Sequence, residues 1–117
     1  MAGLTTHVLD TANGVPAAGV QLTLFRITDT ARSAVCSAVT NADGRVDAPL
    51  LTADEAAAGI YELCFAAGAY FAARGTSMPD PPFVDEVVLR FGIADPNAHY
   101  HVPLLVSPWS YSTYRGS

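Results

Sequence analysis

The three histidines of this chain stand in two short segments: His7 in TTHVLD, and His99 and His101 in HYHVP. Imidazole titrates near neutrality, so two rings on one surface can divide a proton transfer, one accepting while the other donates or orients water. Arg45 follows the Asp-Gly pair at 43–44. A guanidinium there can grip a planar anion through two N–H groups and stabilise developing negative charge. A His-X-His pair on a strand points both rings one way, so metal chelation with His7 as third ligand is a competing chemistry. No carboxylate accompanies the set, which weighs against it. The chemically idle alternatives are a solvated strand face for the three histidines and a solvated turn for Arg45. No GxSxG elbow, P-loop, HExxH or dinucleotide fingerprint is present. Ser117 therefore reads as a hydroxyl that orients water or substrate rather than a nucleophile, and neither a metal nor an organic cofactor is expected.

The rings can cooperate only if strands present them on a common face. From Ala98 onward Tyr100, Val102, Leu104 and Val106 fall on one side, with His99, His101, Pro103 and Leu105 on the other. In the first segment Leu4 and Val8 oppose Thr5, His7 and Leu9, so all three histidines can share one sheet surface. Near the end, Ser112, Tyr114 and Gly116 alternate with Tyr111, Thr113 and Arg115. Pro103 pulls the other way, since proline favours edge strands.

Turn signals at 13–14, 43–44, 78–83 and 95–97 divide the chain as an all-β sandwich would. Strands are predicted near Leu4–Asp10, Val20–Thr28, Ala34–Thr40, Arg45–Ala48, Gly59–Ala66, Val84–Phe91, Ala98–Ser107 and Tyr111–Tyr114. Thr52 and Glu55 have capping-box spacing for a short turn over 52–58, and the alanine-rich 68–75, closed by Gly75, predicts one or two helical turns.

At 117 residues the chain has room for one domain, 1–117. Half of it is hydrophobic and 15% charged, enough for a packed core. A core this small leaves a role for a subunit interface. Net charge is -5, and all six basic residues are Arg. No basic stripe exists to displace counterions from phosphates, so nucleic acid is excluded as a partner. The start shows no basic segment followed by an apolar run, and no stretch approaches the roughly 20 apolar residues that span a bilayer. A cytoplasmic protein without membrane contact is expected. Cys36 and Cys64 lack CxxC spacing and read as two reduced thiols filling small core positions, with a disulfide reserved for the case of export.

TTHVLD (5–10), GVPAAGV (14–20), NADGR (41–45), GIYEL (59–63) and the ending HYHVPLLVSPWSYSTYRGS (99–117) together resemble the 5-hydroxyisourate hydrolases, transthyretin-like enzymes of purine catabolism. The resemblance covers essentially the whole chain. It implies an all-β, transthyretin-like (prealbumin-like) two-sheet β-sandwich of eight strands with one short helix after the fifth. It also implies a homotetramer in which edge-paired dimers face each other across a channel holding the sites. Carried over residue by residue, it makes His7, Arg45, His101 and Ser117 catalytic. His99, Ser112, Tyr114, Arg115 and Gly116 join His7 and Arg45 in binding substrate. The implied reaction is metal-free hydrolysis of 5-hydroxyisourate by water attack on a ring carbonyl, giving 2-oxo-4-hydroxy-4-carboxy-5-ureidoimidazoline. Two alternatives remain: a non-catalytic small-ligand carrier on the same fold, and a metal-dependent enzyme using the His cluster. The carrier needs an open apolar channel, which Tyr114 and the two histidines would narrow and polarise.

Overall fold

Alternating apolar and polar residues in the first and seventh strands meet in the middle of one sheet. In the computed structural model, which describes residues 2–116, the elements are β1 (Gly3–Asp10), β2 (Val15–Pro16), β3 (Gln21–Ile27), β4 (Arg32–Val39), β5 (Gly59–Phe65), α1 (Ala67–Ala73), β6 (Val87–Ile93), β7 (His99–Val106) and β8 (Tyr111–Thr113). They form two four-stranded sheets, ordered β2-β1-β7-β8 and β4-β3-β5-β6. The β1–β7 pair is parallel and the other strand pairs are antiparallel. The inner faces supply Leu4, Val8, Leu104 and Val106 from the first sheet and Leu24, Leu63 and Phe65 from the second. Phe71 of α1 completes the core, and all of these are buried. Removal of this apolar surface from water is the main force holding the sheets together.

One expected strand is absent. No strand forms over Arg45–Ala48; the chain touches β1 at Arg45, opposite His7, and again at Leu51, opposite Leu4. Between these points lies Pro49, which has no N–H to contribute to a ladder. The eighth strand is instead Val15–Pro16, paired with Leu9 and Asp10. The 52–58 segment makes a single turn: the Glu55 carboxylate accepts the Thr52 N–H at 2.9 Å, but no helix follows.

The thiols also divide. Cys36 packs against the core, whereas the alternation that sends Tyr61, Leu63 and Phe65 inward turns Glu62 and Cys64 outward. There the Cys64 sulfur accepts an N–H from Arg32 at 3.0 Å, and Glu62 pairs with Arg32 and Arg90 at 3.1 and 2.7 Å. Cys64 is thus covered by a guanidinium rather than by the core. Both thiols are free.

Asp10 ends β1 on the core face with 1% of its surface exposed. It accepts hydrogen bonds from the Asn13 backbone N–H and side-chain amide at 3.0 and 2.7 Å. The Tyr70 hydroxyl of α1 donates to it at 2.8 Å. Burial works to raise its pKa, but the hydrogen bonds of Asn13, Tyr70 and Ala12 outweigh burial and hold it below the ordinary carboxylate value. The stability this carboxylate contributes is therefore present above about pH 3.9 and lost as the pH falls through its lower folded-state value. Asp10→Ala, which leaves the hydroxyl and two N–H groups unpaired, is expected to cost about 3 kcal/mol in urea unfolding at pH 7, against about 1 kcal/mol for Tyr70→Phe. Equal losses in the two variants would show that Asp10 does not hold the turn and helix together.

Candidate active site

The parallel register sets Gly3 opposite His99, Thr5 opposite His101 and His7 opposite Pro103. Tyr100, Val102, Leu104 and Val106 are buried in the core, so His7, His99 and His101 lie together on the outer face of the sheet. The His7 and His101 ring centroids are 6.5 Å apart. Between the two β7 imidazoles stands the Thr5 hydroxyl, 2.8 Å from His101 Nδ1 and 3.3 Å from His99 Nε2. Pro103 is accommodated in this inner strand because β8 pairs with β7 only from Leu104 onward. The Pro103 carbonyl accepts the Thr113 hydroxyl at 2.7 Å.

Arg45 arrives beside His7 through the 41–45 turn rather than along a strand. The Asn41 side-chain oxygen accepts the N–H groups of Asp43 and Arg45 at 2.9 and 3.1 Å, and the Gly44 carbonyl accepts the Val8 N–H of β1 at 2.8 Å. Gly44 has φ 73, and a Cβ there would strike the Val8 carbonyl oxygen. Only glycine lets the turn lie this close to β1. Asn41 and Thr5 are the residues that reading by motif missed. Thr5 was visible only as a neighbour of His7 in the alternation, and Asn41 only as part of a turn.

The C-terminal segment supports the site from the other side. Ser112 lies opposite Leu105, and cross-strand partners share a face, so it joins the histidine surface. Gly116 donates its N–H to the His101 carbonyl at 2.7 Å, and a Cβ on it would meet His101 Cδ2 at 2.7 Å. Its φ is not positive; glycine is needed here for close approach to the ring, not for a special turn. The Arg115 guanidinium donates to the His99 carbonyl at 3.1 Å and lies over the Tyr100 ring at 4.1 Å. Regular pairing stops at Thr113, and Tyr114 beyond it is exposed and borders a cleft of about 420 Å³ with Val102 and Phe91. Ser117 lies outside the described residues.

Burial first, then the charge of Arg45, lowers the pKa of His7; a hydrogen bond to the Asp43 backbone and the Asp43 charge oppose this in part. Burial likewise lowers His101, followed by Arg45, His7 and His99. Both rings are therefore held neutral at neutral pH, next to a guanidinium whose charge reaches both. Among the described residues no three His, Cys, Asp or Glu side chains gather as a metal-binding group. No helix of the described residues is long and apolar enough to cross a membrane.

A two-sheet sandwich with paired neutral imidazoles and a guanidinium on an outer sheet face defines the class. The HIUase/Transthyretin family model matches residues 4–116. A 5-hydroxyisourate hydrolase of Ralstonia nicotianae is 61% identical, covering 100% of both chains. The crystal structure of an (S)-allantoin synthase superposes with a TM-score of 0.92 at 50% identity, over 98% of this chain and 43% of that one. A 5-hydroxyisourate hydrolase of Klebsiella pneumoniae superposes with a TM-score of 0.82 at 37% identity, over 100% of both chains. This chain belongs to the HIUase/Transthyretin family.

Proposed function

We propose that this chain hydrolyses 5-hydroxyisourate, an oxidised purine, to 2-oxo-4-hydroxy-4-carboxy-5-ureidoimidazoline. The observation that carries the reading is the approach of His7 and His101 to 6.5 Å on one face with Arg45 adjoining. Its family context is full-length identity to proteins named for that activity. Water adds to a ring carbonyl, the amide C–N bond of the six-membered ring breaks, and the nitrogen takes up a proton. The chain's part is to position and activate that water between two neutral imidazoles while Arg45 offsets charge on the carbonyl oxygen. His99, Ser112, Arg115 and Gly116 shape the surface around them. Tyr114 and Ser117 keep the binding and hydroxyl roles that the family resemblance implies. Freshly generated 5-hydroxyisourate should lose its ultraviolet absorbance faster with the protein than without; equal decay would overturn the reading.

The lowered imidazole pKa values predict the pH profile. Because both rings must be neutral, kcat/KM should stay level as pH falls past about 6.5, the ordinary imidazole value, and decline only below it. Removing the Arg45 charge favours the protonated rings, so Arg45→Gln should move the acid limb of its residual activity to higher pH. A limb that stays in place would mean that Arg45 does not act on the rings electrostatically.

The assembly we propose is a homotetramer with its sites in the channel between dimers. Leu9 and Leu105 are only half-buried beside the imidazoles, and a facing sheet would cover them. Light scattering should report four chains per particle, and a fully active monomer would remove the channel. The two free thiols fit a reducing cytoplasm.

A further inference from the structure

The Thr5 hydroxyl carries one proton, so of its two contacts with ring nitrogens it donates to one and accepts from the other. Its distances of 2.8 Å to His101 Nδ1 and 3.3 Å to His99 Nε2 therefore lock the tautomers of the two rings together. In one chain of bonds, His99 Nε2–H donates to Thr5 Oγ1, the Thr5 hydroxyl donates to His101 Nδ1, and His101 carries its proton on Nε2. In the other, every bond is reversed, and His99 then carries its proton on Nδ1.

His99 Nδ1 decides between them. It is buried and has no hydrogen-bond partner among the described residues. The reversed chain would bury an N–H with nothing to receive it, whereas the first leaves only a lone pair there. Orphaned buried donors are the rarer and costlier case. The distances agree, since the shorter contact is then the hydroxyl's own donation. We propose that Thr5, backed by His99, is a positioning residue that holds His101 in the Nε2–H tautomer, making His101 a hydrogen-bond donor toward the reacting group and leaving His7 as the base.

His7 complements this assignment. Its ring is held neutral, so one ring nitrogen bears a proton and the other presents a lone pair. In the hydrolysis proposed above, on which the division of roles rests, His7 takes the proton of the attacking water and delivers it to the departing ring nitrogen, while the His101 Nε2–H donates a hydrogen bond that steadies the reacting group, so both imidazoles end the reaction neutral.

The test labels the imidazole nitrogens with 15N and reads the tautomer of His101 by NMR without substrate. The wild-type protein should show a protonated Nε2. Thr5→Val, which keeps the shape and loses the hydroxyl, should shift His101 toward the Nδ1–H form. It should also lower kcat by at least about 10-fold with KM changed less than about two-fold, because the wrong tautomer presents a lone pair where the reaction needs an N–H. Thr5→Ser should restore both the tautomer and kcat. A wild-type His101 protonated on Nδ1, or a Thr5→Val protein with unchanged tautomer and kcat, would overturn the proposal. A wild-type protein with the Nε2–H tautomer, lost in Thr5→Val, but no action on 5-hydroxyisourate would support the role of Thr5 and overturn the reading of function instead.

Discussion

His7→Ala and His101→Ala are each expected to lower the rate of 5-hydroxyisourate hydrolysis by at least about 10²-fold while leaving the fold intact. Each removes a group that moves a proton or donates a hydrogen bond in the transition state, and such groups typically contribute about 10²-fold or more. The fold should survive because both side chains project from the outer face of the first sheet, away from the core formed by Leu4, Val8 and Leu104. The two rings serve one hydrolytic step, so the double variant should be far less impaired than the product of the single losses. His99→Ala should be milder, since that ring reaches His101 only through Thr5. Steady-state kinetics with far-ultraviolet circular dichroism on each variant checks the set. Near-wild-type turnover in His101→Ala would remove it from the chemistry.

Arg45→Ala should cost about 10²-fold or more in kcat/KM, and Arg45→Lys should recover little of it. Removing one well-placed donor to a developing oxyanion carries losses of this size. Lysine keeps the charge but not the planar pair of N–H groups, and its flexible stem would not follow the path set by the Asn41–Gly44 turn. Full activity in Arg45→Lys would mean that the site needs only a diffuse positive potential. The acid limb of the Lys variant should stay near that of the wild type, unlike Arg45→Gln. The two substitutions thus separate the electrostatic role of Arg45 from its geometric one.

Much of the site could be read in one dimension. Strand alternation repeats every two residues and depends only on local geometry, so Tyr100, Val102, Leu104 and Val106 announced a core face and placed His99 and His101 opposite. The same rule worked for Thr5 and His7 and for Ser112. It carries no further than Thr113, where regular pairing ends and alternation no longer constrains the chain. It failed at 45–48, because an Asp-Gly turn followed by β-compatible residues looks like a hairpin whether or not a neighbouring strand is free to pair along its length. Cys64 was placed in the core by its residue type, although the parity of Tyr61, Leu63 and Phe65 already sent it to the outer face.

By itself the amino-acid order determined the strand faces, the turns, the absence of a basic surface, and which side chains were chemically able to move a proton or bind an anion. These are properties of single residues and of near neighbours along the chain. Only the tertiary structure decided that β1 and β7 pair in parallel with Thr5 opposite His101, 96 residues away in sequence. It likewise decided that the 41–45 turn brings Arg45 against His7 and that Gly116 closes on the His101 ring. Register between distant strands is set by the fit of two whole apolar faces against a common core, a sum over many contacts that no local pattern encodes.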